Sequence, residues 1–103
     1  MLHRPSREEI NQKIKDLDFN FDNLDLSGWD FYSVNGNTIC GALLMNASFQ
    51  NSDLRRAKFN GASLHGANFL NANLEDVFFY DARFDNTIMP DGSIRSGICR
   101  DKF

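Results

Sequence analysis

The residues of this chain that could do chemistry are few, and their spacing does not gather them. His3 and His65 are the only histidines, and Cys40 and Cys99 the only cysteines, among 103 residues. A zinc set draws its ligands from close-spaced Cys and His, commonly with a CxxC pair, and no such spacing occurs. The expectation is two reduced thiols, no metal and no cofactor. A nucleophile must lie within hydrogen-bond reach of a base that a third group orients. His65 with Asp85, twenty residues on, is the nearest approach to a dyad, and no nucleophile or pocket accompanies it. Asp18, Asp22, Asp25 and Asp30 crowd one early segment. Their expected work is hydrogen bonding to backbone at tight corners rather than acid–base catalysis. No catalytic residue is assigned, and the chain is not read as an enzyme.

Composition narrows the partners. A formal net charge of −3 gives no electrostatic footprint for direct nucleic-acid binding. No apolar run approaches the ~18 residues a membrane helix needs. The start "MLHRPSREE" carries no apolar segment resembling a secretion signal, so a cytoplasmic location is expected, and the glycosylation-like "NAS" at 46–48 has no weight.

The elements that must position these residues follow an unusual beat. Phe59, Leu64, Phe69 and Leu74 recur every fifth position, each preceded two residues earlier by Ala57, Ala62, Ala67 or Ala72. On a helix, steps of five scatter these residues around the whole cylinder. On a straight strand, an odd step sends successive ones to opposite faces. An alanine and the bulky residue after it, two apart, do share a face of a short extended piece. The pattern therefore calls for a brief extended unit followed by a corner, repeated so that every pair faces one interior. Gly41, Gly61, Gly66, Asn46, Asn51 and Asn71 stand two after a bulky centre, and these types tolerate the backbone a corner requires. Such a chain is a repeat solenoid.

"ANFLN" at 67–71 and "ANLED" at 72–76, with "SDLRR" at 52–56 and "ASLHG" at 62–66 close to them, resemble the units of pentapeptide-repeat proteins. One such pentad means little, but the run from Ala42 to about Met89 keeps register throughout. The resemblance implies an all-β solenoid, a right-handed four-sided β-helix with about twenty residues per coil, here about four coils behind an N-terminal capping α-helix. Residues twenty apart would then stack at about the ~4.8 Å spacing of paired strands. The interior columns become Ile39–Phe59–Phe79, Leu44–Leu64–Phe84, Phe49–Phe69–Met89 and Leu54–Leu74. On the outside, Arg55 falls over Glu75, Arg56 over Asp76 and His65 over Asp85. The first two are expected inter-coil charge pairs, worth about 0–1 kcal/mol each, whose simplest role is to favour register.

Three segments follow. Residues 1–16 form an N-terminal segment in which Ser6 and Glu9 make a capping box and predict a helix over about 7–16, with Ile10, Ile14 and Leu17 on the face laid against the first coil. Residues 17–91 carry the repeats. Within them, 17–36 are irregular and fit best in a register shifted by two, centred on Phe21, Leu26 and Phe31 and preceded by Asn20, Asp25 and Asp30. That shift requires a bulge or short loop near "VNGNT" at 34–38. Large residues at its small positions imply a wider or distorted first coil. "MPDGS" is a turn that stops the repeat. The tail 92–103, with Ile94, Ile98 and Phe103, folds back as a partial cap or pairs with a second copy as a homodimer through the C-terminal end.

What the beat leaves outward is the candidate surface. Leu43, Met45, Leu70, Phe78 and Tyr80 are predicted to point out, with Phe78 and Tyr80 flanking the inward Phe79, as a docking face for an unidentified protein partner. The resemblance also implies an alternative, mimicry of duplex DNA to bind a type II topoisomerase (gyrase), as in quinolone-resistance pentapeptide proteins. Mimicry needs a long acidic rod. Residues 17–91 give one of only about 15–20 Å, and its regular part carries Arg55, Arg56 and Lys58.

Overall fold

The computed structural model describes residues 2–29 and 41–100. The corners come first, because they dictate the winding. From Leu44 to Phe79, the carbonyl of each bulky centre accepts the N–H three residues on: Ala47 to Leu44 at 3.1 Å, Ala62 to Phe59 at 2.9 Å, Ala82 to Phe79 at 2.8 Å. The residue two after the centre is left-handed, with φ of 58° at Asn46, 61° at Asn51, 70° at Gly61 and 60° at Asn71. This is the geometry of a type II turn. It recurs at Arg56, Asp76 and Asp81, where side chains without glycine's freedom adopt φ of 63°, 58° and 61°.

Between corners, residues twenty apart pair in parallel. Leu43 pairs with Ser63, Ser48 with Asn68, Asp53 with Asn73 and Lys58 with Phe78. The longest stretch joins β1 (Ser63–His65) to β2 (Arg83–Ile88) through Ser63–Arg83, Leu64–Phe84 and His65–Asp85. The earliest coil follows the shifted register. Asn20 pairs with Leu43 and Asp25 with Ser48, a step of 23 rather than 20, and Phe21 and Leu26 are buried centres. Phe31, Asp30 and the bulge expected at 34–38 lie outside the described residues.

The interior is apolar and largely aromatic. Phe49 stacks on Phe69 with ring centroids 5.2 Å apart, and Phe59 on Phe79 at 5.4 Å. The two columns meet edge to face, at 5.8 Å for Phe49–Phe59 and 6.2 Å for Phe59–Phe69. Such aromatic pairs add about 0.5–1.5 kcal/mol each beyond burial. Leu44, Leu54 and Leu64 are fully buried beside them, as are the alanines at 57, 62 and 67. Leu74 is only partly buried, and Ile39 is outside the described residues. Where the small position holds Ser52 or Thr87, the hydroxyl is satisfied by backbone: Ser52 Oγ donates to the Leu26 carbonyl at 2.7 Å and Thr87 Oγ1 to the Leu64 carbonyl at 2.6 Å.

Both ends are tied down. Helix α1 (Arg7–Lys15) begins at the Ser6–Glu9 capping box, and its Ile10 is fully buried in the common core. Ile14 packs partly against that core. Leu17 does not share this face. It lies beyond the helix in a left-handed conformation, φ 57°, and is 76% exposed, because the chain must reverse there to enter the first coil. Trp29 is buried at a small position of that coil, with the Arg7 guanidinium 5.5 Å from its ring. Ahead of the helix, His3 pairs in parallel with Leu24. At the other end, β3 (Ile94–Ile98) folds back antiparallel on β2. Its Arg95 guanidinium sits 4.8 Å from the ring of Phe84, and Cys99 just beyond is fully buried, so the tail covers part of the last coil.

Candidate partner-binding surface

Residues just before and just after each buried centre point out, because the pleat alternates. Leu43 and Met45 flank Leu44 and are 46% and 43% exposed; Phe78 and Tyr80 flank Phe79 at 38% and 51%. Leu70 is half-buried, near Gly92 of the exit turn. These five do not merge. Leu43 stands in the column of Ser63, Phe78 in that of Lys58, and Leu70 follows Asn68 in the column of Ser48. The structure thus offers two apolar pairs on different columns and a separate leucine.

Arg55 clasps Asp53 of its own unit, Nη2 to Oδ2 at 2.8 Å and Nε to Oδ1 at 2.9 Å. That hydrogen bonding holds the Asp53 carboxyl below its ordinary value. Arg55, Arg56, Glu75 and Asp76 together line a small surface cleft of about 50 Å³. Across the coils, the Arg56 N–H donates to the Glu75 carbonyl at 3.0 Å. His65 and Asp85 are register partners on β1 and β2. Among the described residues, no group of three or more His, Cys, Asp or Glu side chains is placed to hold a metal ion.

Early carboxylates bond the corners. Asp25 Oδ1 accepts the Ser27 hydroxyl at 2.6 Å and its N–H at 3.0 Å, and these bonds lower the Asp25 carboxyl. Asp18 accepts Lys13 Nζ at 3.0 Å and the Asn20 N–H at 3.2 Å, and is lowered likewise. Asp22 spans two coils, accepting the Met45 N–H at 2.8 Å. Asp30 lies outside the described residues.

One feature escaped the sequence reading. A shallow groove of about 480 Å³ runs over Asp25, Ser48, Asn68 and Ile88, which are successive members of one outward column, with Asn46 and Gln50 beside them. Ser48, Asn68 and Ile88 follow the constant step of twenty, and Asp25 joins them through the 23-residue first step.

The unit geometry, with a left-handed corner every five residues and pairing twenty apart, now stands beside a direct match. The family model of pentapeptide repeats matches residues 40–61 and 52–89, in 8 copies. The chain belongs to the pentapeptide-repeat family. Among solved structures, this pentapeptide-repeat protein is similar to Rfr23, from the cyanobacterium Cyanothece 51142, at 31% identity and TM-score 0.61, over 66% of this chain and 44% of that one. It is also similar to HetL, a pentapeptide-repeat protein involved in heterocyst differentiation regulation from Nostoc sp. strain PCC 7120, at 35% identity and TM-score 0.53, over 74% of this chain and 32% of that one. The chain spans less than half the length of either. No match is found among curated proteins. Among the described residues, no helix is long and apolar enough to cross a membrane.

Proposed function

We propose that the chain is a non-catalytic, cytoplasmic pentapeptide-repeat module that binds another protein through its outer faces. Its frame is a right-handed four-sided β-helix of about four coils. Pairings at five-residue intervals, each joining residues twenty apart from Leu43 onward, support four sides to a coil. The observation that carries the binding reading is the division of labour within each pentad. Centres, small residues and corners are used up by core and turn, so specificity is left to outward side chains. Of these, Phe78 and Tyr80 are large aromatics kept at the surface on either side of a buried Phe79. Exposed aromatics of this kind are the side chains that dominate protein interfaces. DNA mimicry draws no support from the molecule's extents of 31 × 26 × 20 Å, which are those of a compact body rather than a long rod.

Affinity capture from native lysate tests the reading. A specific partner recovered by the wild type should be lost with Phe78→Ser/Tyr80→Ser and kept with Leu43→Ser/Met45→Ser. Equal recovery by all three proteins would remove the aromatic pair as the docking face.

A further inference from the structure

We infer that Asn60–Gly61 is a deamidation site that the folded coils hold closed, and that its reaction, once the last coil opens, makes that opening one-way. In an asparagine–glycine pair the following backbone nitrogen reaches the side-chain amide most readily, because glycine puts no Cβ in its path. "NG" occurs twice in the sequence, at 35–36, outside the described residues, and at 60–61. The step needs water alone. The Gly61 nitrogen attacks Cγ of Asn60 and gives up its proton as the Cγ–Nδ2 bond breaks and ammonia leaves. Water then opens the cyclic imide at either carbonyl, giving aspartate or the isomer whose main chain runs through the former side chain.

The native corner opposes the attack in three ways. Phe59 to Ala62 is a type II turn, closed by the Ala62 N–H on the Phe59 carbonyl at 2.9 Å, with Gly61 at φ 70°. Asn60 is its second residue, where ψ is about +120°, and ring closure needs ψ of the opposite sign. The Gly61 N–H is also engaged, donating to the Tyr80 carbonyl of the next coil at 2.9 Å. Attack would build negative charge on Asn60 Oδ1, and this buried atom has no hydrogen-bond partner among the described residues to hold that charge. The tail supplies the outer restraint. The Asp81 N–H, next along from Tyr80, donates to the Cys99 carbonyl at 2.7 Å, and Arg100 Nη1 meets Asp81 Oδ1 at 3.1 Å.

Neither product fits the corner it leaves. Aspartate puts a carboxylate where Oδ1 has no donor, and a buried, unpaired charge is costly. The isomer adds a carbon to the main chain between Phe59 and Ala62. This peptide pair ties three successive coils, because the Asn60 carbonyl also accepts the Gly41 N–H at 2.7 Å. A lengthened chain cannot keep the turn bond and both inter-coil bonds, since the winding has no slack for an added atom. The last coil and its tail, once released, therefore do not reclose as before. The inference does not rest on the docking role proposed for Phe78 and Tyr80.

The test is incubation of the full chain at mildly alkaline pH in an Asn35→Gln background, which silences the other such pair. Mass spectrometry of the peptide spanning 60–61 reads conversion of the amide to the acid. In urea Asn60 should convert readily. In native buffer it should convert at least about tenfold more slowly, because reaction must await local opening. Arg100→Ala, which removes the contact to Asp81, should speed the native reaction and leave the urea rate unchanged. Gly61→Ala, whose Cβ obstructs the attacking nitrogen, should slow the reaction in urea. Protein deamidated in urea and returned to native buffer should melt lower than protein passed through urea briefly. Equal rates in urea and in native buffer would overturn the inference, as would no conversion in urea. A native Arg100→Ala rate equal to the parent's would remove the tail as the restraint, and an unchanged melting temperature after deamidation would show that opening is not one-way.

Discussion

The hydroxyl of Thr87 donates to the carbonyl of Leu64 at 2.6 Å, and that carbonyl already accepts the corner N–H of Ala67 at 3.1 Å. Ser52 repeats the arrangement on the Leu26 carbonyl, which also accepts the Trp29 N–H. A hydroxyl at the small position thus binds the corner of the coil before it, which is how a polar side chain survives in an apolar interior. Thr87 Oγ1 also accepts the Asp85 N–H at 3.2 Å. Thr87→Val keeps the shape and loses both bonds. It should cost about 1–3 kcal/mol in urea unfolding, the penalty for stranding a partly buried polar group. An unchanged midpoint would show that the hydroxyl is dispensable.

Gly61 and Gly66 separate backbone strain from crowding. Both are left-handed, with φ of 70° and 68°. A methyl group at Gly61 would meet nothing within 4 Å, whereas at Gly66 it would strike the Asn46 side chain of the coil before. Gly61→Ala should cost about 1–2 kcal/mol from conformation alone. Gly66→Ala should cost measurably more, and Asn46→Gly should restore that difference. Equal melting temperatures for the two alanine variants would contradict the stacked corner.

Arg56 invites the opposite change. It holds φ of 63° at a corner where its neighbours in the repeat carry Gly or Asn. Arg56→Gly should stabilise the fold by about 0.5–1 kcal/mol, the relief of left-handed strain less the entropy glycine loses on folding. A lower melting temperature would mean that its contacts around the Glu75–Asp76 cleft outweigh the strain.

Ala67→Leu adds volume where the Phe49–Phe69 column leaves none, since Ala67 is fully buried. Overpacking should cost about 1–3 kcal/mol. Calorimetry that finds no change would argue against a closed interior at that site.

Acid should loosen the corners. Asp25 and Asp53 have carboxyls lowered from the ordinary 3.8, Asp25 chiefly by the Ser27 hydroxyl and Asp53 by Arg55. A carboxyl that binds its proton less readily when folded contributes stability above its unfolded value. That contribution is lost as pH falls through 3.8 toward the folded value. Stability should be flat near neutrality and decline below about pH 4, and Asp53→Asn should shallow the decline. A pH profile identical to wild type for Asp53→Asn would break the link.

The repeat was legible because the pattern repeats: bulky centres, alanines and most corners follow from a five-residue period. Phe21 and Leu26 were legible too, from the residues before them. Arg56, Asp76 and Asp81 were not recognisable as left-handed corners, because their types carry no such signature and only position in the winding imposes the conformation. Leu17 misled, because three apolar residues at helical spacing say nothing about where the helix stops. The tail was ambiguous by nature. Ile94 and Ile98 suit a cap and an interface equally, and what decided the folding back was backbone pairing with β2. In the polar groove, Ser48, Asn68 and Ile88 lie on the step of twenty, and Asp25 joins them only through the shifted register of the first coil.

That step has a consequence for how such a molecule tolerates change. Beyond the first coil, length comes in quanta. Twenty residues inserted between Asn51 and Ser52 would add one storey of about 4.8 Å and leave both end closures in their original orientation. Five residues inserted there would fold equally well by every local rule, yet rotate β3, Phe78 and Tyr80 onward to the next outward column relative to α1. Two variants of nearly equal stability would then present their recognition surfaces in different directions.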